Sequence, residues 1–177
     1  MISDINLQVM TAQVLTTAAG ARTVSNNTVD IGSVALSAMT SPTGGANIAA
    51  GASLPRDISE GEPLYMVFTN VGGATFTGVT TVTFEIITSA SSALTSPRIL
   101  VRSDAIPVAT MVAGKEIVMR IQLDSKAKNS TLDRYLGAAV SAVGGTTLAN
   151  ATLDAHIVHG NQKGGNKFYA TSIIVTP

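Results

Sequence analysis

The run Thr81-Val82-Thr83-Phe84-Glu85-Ile86 alternates short or polar side chains with large apolar ones. In an extended chain, successive side chains point to opposite faces. Val82, Phe84 and Ile86 therefore predict one face on a core, and Thr81, Thr83 and Glu85 a polar or half-covered face. A strand is predicted over residues 80–89, with Ile87 breaking the alternation. The same period of two recurs further along. Ile117, Met119, Ile121 and Leu123 oppose Val118, Arg120 and Gln122, while Leu153, Ala155 and Ile157 oppose Thr152, Asp154 and His156. Shorter apolar runs at residues 64–68 and 99–101 read as further strands. Residues 135–143 read as a strand of small side chains, with Leu136, Ala138, Val140 and Ala142 on one side, ahead of a short Ala-rich helix.

The punctuation agrees. Gly44-Gly45, Gly72-Gly73, Gly144-Gly145 and Gly164-Gly165 fall between candidate strands, where glycine adopts a positive φ without a steric penalty. Pro42, Pro55, Pro63, Pro97 and Pro107 sit at strand edges or in connections, where a missing N–H costs least. Short strands separated by turn signals predict an all-β sandwich or barrel. No amphipathic helix of ordinary length with both caps is visible, and residues 8–21, rich in Thr and Ala, stay open. The expectation is a single domain over 1–177, with 35–54 a Gly/Ala-rich insert loop and 159–177 a C-terminal turn and tail.

Composition narrows the function. The chain has 177 residues, with eleven Lys and Arg against eleven Asp and Glu, and only 12% of residues are charged. Neutralising a phosphate backbone needs a cationic excess that is missing, so a nucleic-acid partner is not expected. Zero Cys removes disulfide frameworks and thiolate zinc sites. The apolar share is 45%, yet charged and polar residues interrupt every stretch before the ~20 residues of a spanning helix. The opening Met1-Ile2-Ser3-Asp4 carries an acid where a secretory signal carries a base, so synthesis in the cytoplasm and no membrane partner are expected.

Catalytic constellations fail one by one. His156 and His159 lie an odd number of residues apart in a strand, hence on opposite faces, with no Cys or further His to complete a metal shell. Residues 160–167 imitate a phosphate loop, but Asn166 stands where Lys is needed and Lys167 where a hydroxyl should bind magnesium. The carboxylates Asp57, Glu60 and Glu62 cluster around Gly61 and Pro63, a turn entering the strand at 64–68. Tyr65 is the one aromatic close by in sequence, too little to line a sugar cleft. No Gly-x-Ser-x-Gly elbow occurs. The expectation is no enzyme, no cofactor and no metal.

The order of the segments carries a resemblance. Ser3-Asp4 precedes a Thr/Ala/Gly-rich stretch to Gly20, then come Ser25-Asn26-Asn27-Thr28-Val29-Asp30-Ile31-Gly32 and Arg56-Asp57-Ile58-Ser59-Glu60-Gly61-Glu62-Pro63-Leu64-Tyr65-Met66-Val67. Thr81 to Ile86, Ala105-Ile106-Pro107-Val108-Ala109, Ala113-Gly114, Arg134-Tyr135-Leu136, a strand near 153–158 and Tyr169 follow. In this order the chain resembles the jelly-roll capsid cement (decoration) proteins of tailed bacteriophages. It departs from their pattern in the insert at 35–54 and the loop at 161–166. The resemblance implies an antiparallel jelly-roll β-sandwich on the outer surface of a virion's capsid. There it would bind the major capsid protein, bridge capsomers and stabilise the mature head. It also implies a homo-oligomer, a dimer or trimer on a symmetry axis. The candidate capsid or subunit contacts are Arg56, Asp57, Glu60, Glu62, Lys126, Lys128, Phe168 and Tyr169. The alternative is a receptor- or glycan-binding β-module of a phage fibre or adhesin, which the scarcity of aromatics (4%) disfavours.

Overall fold

Two antiparallel sheets face each other across one core. The computed structural model describes residues 8–30, 34–35, 53–54, 64–121 and 134–159. The first sheet holds β1 (Gln8–Leu15), β6 (Leu64–Asn70), β10 (Glu116–Arg120) and β12 (Ala151–His159), in the order β1-β12-β6-β10. The second is built on β2 (Arg22–Val24), β7 (Thr77–Ser89), β8 (Arg98–Arg102) and β11 (Tyr135–Ala149), in the order β2-β11-β7-β8. To it are added β3 (Val29–Asp30), paired with β11, and β9 (Ile106–Pro107), paired with β7. A separate two-stranded pair, β4 (Val34–Ala35) with β5 (Ser53–Leu54), brings together the two ends of the stretch expected as an insert loop. The architecture is all-β and antiparallel, as the alternation requires.

The inward faces follow from that alternation. Val82, Phe84 and Ile86 of β7 lie opposite Ala142, Val140 and Ala138 of β11, so each larger side chain faces an equal or smaller one. Phe84 then meets Phe68 of the other sheet with ring centroids 5.0 Å apart and planes tilted by 52°, an arrangement that avoids face-to-face repulsion. Met66, Phe68, Ile117, Met119, Leu153, Ala155 and Ile157 complete the same core from the first sheet. The open stretch at the N-terminus resolves as β1. Its pairing with β12 slips twice, and Ala12 takes a positive φ in the bulge, its N–H held by the Asp154 carboxylate.

Three expectations change. Gly144 and Gly145 do not end a strand. Both lie inside β11 with positive φ, and Gly145 sits opposite Val79. The reason is space as much as backbone freedom, since a Cβ on Gly78 or Gly145 would overlap backbone of the facing strand. The chain instead leaves the second sheet for the first at Asn150, which adopts φ 57°, a region Asn tolerates better than most residues. Ile87 does not break the alternation either. It points outward beneath Leu94, and the irregularity lies in β8, where Val101 and Ile99 pair with Ile86 and Ile87 around an unpaired Leu100. Finally, Glu85, on the face expected to be polar or half-covered, is fully buried.

Candidate functional site: the outer face of the six-stranded sheet

A carboxylate in the middle of a strand must find a cation or stay in water. Glu85 lies on β7 with Arg102 of β8 directly opposite on one side and Ala139 of β11 on the other. Beyond Ala139, β2 contributes Val24 in the same row and Arg22 in the next, opposite Ser141. Because Ala139 offers only a methyl group, Arg22 can reach across it. Its Nε lies 2.7 Å from Glu85 Oε2, a close ion pair without the alignment of a full hydrogen bond. Arg102 donates from Nε to Oε1 at 2.9 Å, with Nη2 at 2.7 Å from the same oxygen. The Ser141 hydroxyl donates to Oε1 at 3.3 Å. The Glu85 side chain is 0% exposed, against 30% for Arg22 and 54% for Arg102. Two guanidinium groups thus roof one carboxylate. An ion cluster of this kind contributes little net stability, because desolvation offsets most of the attraction.

An apolar half adjoins the charged one. Ile87, Leu94 and Ala139 are buried there, with Val24, Ile99 and Tyr135 packed against them. Leu94, at φ 53° in the connection after β7, folds over Gly137, where a Cβ would collide with the Leu94 side chain. At the far end, Arg134 forks onto Asp30, with Nε 3.0 Å from each oxygen and Nη2 2.7 Å from Oδ2. Its guanidinium also lies 5.5 Å from the centroid of the Tyr135 ring. Hydrogen bonding to Asp30, then its charge, raises the Arg134 pKa further above its ordinary value. The group is a permanent cation.

The opposite sheet carries one titratable group of note. His156 of β12 sits between Gln8 of β1 and Val67 of β6, on the face away from the core. It is nearly buried, and its Nε2 has no hydrogen-bond partner. Burial pushes its pKa below the usual 6.5, and the charges of Asp154 and Glu116 only partly oppose this. Among the described residues, no group of His, Asp and Glu is placed to hold a metal ion, and no helix is long and apolar enough to cross a membrane.

The residues singled out from sequence, Arg56, Asp57, Glu60, Glu62, Lys126, Lys128, Phe168 and Tyr169, lie outside the described residues, as do 160–167. Sequence reasoning missed Arg22 and Arg102 altogether. The available signal was Glu85 itself, the one charge in the alternating run at 81–87.

A family model matches residues 9–157, from the first strand of the four-stranded sheet into the last. The chain belongs to the Bbp16 family. No curated protein matches it. In this Bbp16-family chain the matched span includes Arg22, Glu85 and Arg102 along with both sheets.

Proposed function

We propose that this chain is a structural virion protein. In this reading it is a capsid cement (decoration) protein that binds the outer surface of the major capsid protein lattice and stabilises the mature head by bridging capsomers. The observation that carries the reading is the strand order. Taken in chain order, the eight strands β1, β2, β6, β7, β8, β10, β11 and β12 change sheet at every step except from β7 to β8, which pair as neighbours, and the first and last lie side by side. We read this interleaving of two Greek keys as a jelly roll, the fold implied by the order of sequence segments. The outward face of the six-stranded sheet supports the reading as well. It combines anchored arginines and a tyrosine with a small apolar patch, the composition of a protein interface.

The mechanism is linkage. A protein that binds the assembled lattice but not its separated parts stabilises the lattice by mass action. Many copies, and self-association of the chain as a homo-oligomer on symmetry axes, let each contact be modest. The test adds purified protein to shells lacking it and compares their resistance to heat or salt. Saturated shells should withstand conditions that open bare ones. Equal resistance at full occupancy refutes the proposal.

A further inference from the structure

One arginine neutralises one carboxylate, so the second arginine on Glu85 needs another explanation. We propose that the Arg22–Arg102 pair receives an acidic side chain of the lattice protein, making the outer face of the six-stranded sheet the surface that docks on the shell. The inference rests on the decoration reading and gives it a specific contact.

The geometry supports a carboxylate ligand. Glu85 engages Arg22 through Nε and Arg102 through Nε and Nη2. Both arginines are partly exposed, and their outward neighbours Thr83 and Ser141 are short. The buried Glu85 fixes the stems, so the N–H forks are held in place before a partner arrives, and less rotamer freedom is lost on docking. A guanidinium fork matches a carboxylate with two parallel hydrogen bonds. A phosphate backbone is a poorer fit. The cluster carries a surplus of one positive charge in a chain of zero net charge, not the basic stripe that tracks a nucleic acid. The adjoining cluster of Ile87, Leu94 and Ala139 gives the same face a water-excluding neighbour, the setting in which an interfacial ion pair counts most.

The experiment measures co-sedimentation of wild-type protein and Arg22→Met/Glu85→Gln/Arg102→Met with shells lacking the protein. The triple variant removes both cations without stranding a buried anion. A cooperative melt close to the wild type's establishes that it folds. Its affinity should fall at least about tenfold. A folded variant that binds within about twofold of wild type overturns the inference while leaving the decoration reading intact. If wild-type protein fails to bind shells at all, both fall together. A second arm does not depend on any variant folding. Amidating the shells' carboxylates with carbodiimide should weaken wild-type binding at least about tenfold, and undiminished binding to amidated shells overturns the inference. A third arm follows wild-type binding from about 50 to 300 mM salt, where a paired charge contact weakens several-fold. A flat profile overturns it.

Discussion

Replacing Asn70 with Ala tests how the two sheets are joined at one end of the sandwich. Asn70 closes β6 and is fully buried. Its Nδ2 donates to the carbonyls of Ala74 and Met111, each at 2.9 Å, and its Oδ1 accepts the Gly72 N–H at 3.0 Å. The amide orientation is fixed, because only this one meets two acceptors with N–H and one donor with oxygen. The same residue's backbone ties in the turn before β10, donating to Lys115 and accepting from Gly114. Three side-chain hydrogen bonds at about 1 kcal/mol each give a loss of about 3 kcal/mol, and the Gly72 N–H falls back on the Thr152 carbonyl at 3.3 Å. The Met111 carbonyl keeps the Phe76 N–H at 3.3 Å, which holds the figure at the lower end. For a domain of this size that lowers the melting temperature by about 6–12 °C. Urea denaturation of wild type, Asn70→Ala and Asn70→Leu separates hydrogen bonding from packing. Leu restores volume but no hydrogen bond, so both variants should lose stability alike. If Asn70→Leu came within about 0.5 kcal/mol of wild type, the hydrogen-bond account would be refuted and cavity formation would replace it.

Gly78→Ala forces a side chain at φ 87° into the Thr147 carbonyl and should cost more than about 3 kcal/mol. Gly73→Ala, with open space around it, should change stability by less than about 1 kcal/mol; paired thermal melts distinguish them. His156 has a native pKa below its unfolded value, so the unfolded chain binds the extra proton. Stability is therefore full above about pH 6.5 and falls as pH drops through the native pKa. His156→Leu should flatten that part of the stability–pH curve, measured by urea denaturation between about pH 7 and 5, and an unchanged slope would exclude His156 as its source. Arg22→Met/Arg102→Met leaves Glu85 buried with only the Ser141 hydroxyl at 3.3 Å. It should cost about 3–5 kcal/mol, most of which Glu85→Gln should recover in the same denaturation assay.

What could be read from the sequence was whatever one strand decides alone. Val82, Phe84 and Ile86, like Leu153, Ala155 and Ile157, announce themselves because burying one face imposes a period of two. Strand ends were less legible. Gly144-Gly145 has the composition of a turn, yet the pair serves the close approach of β11 to β7 around Gly78, which only the partner strand makes necessary. β2 has three residues, too few for any periodicity to stand out. The charged cluster was illegible for a related reason. Glu85 reads as one more residue of a polar or half-covered face until β2 and β8, from earlier and later parts of the chain, lay Arg22 and Arg102 over it. Ile87 likewise reads as a fault in the pattern, because Leu94, the side chain that covers it, arrives from an irregular connection.

The size of the charge surplus sets what the proposed contact can do. A nucleic-acid binder neutralising many phosphates loses orders of magnitude in affinity over a few-fold rise in salt. The Arg22–Glu85–Arg102 cluster has one uncompensated cation, so its salt dependence must be shallow, and charge alone cannot hold the protein on a shell. The remainder has to come from buried area beside the cluster and from the number of copies acting together. Low charge suits that division. A face dominated by Thr, Ser, Ala and a few anchored arginines surrenders little side-chain freedom on packing, whereas a face of lysines would keep its solvent and its entropy. In the proposed role the arginine pair therefore sets orientation and register on the lattice. The adjoining apolar patch and multivalency supply most of the strength, so removing the patch should weaken binding at every salt concentration, while removing the pair should also erase the salt dependence.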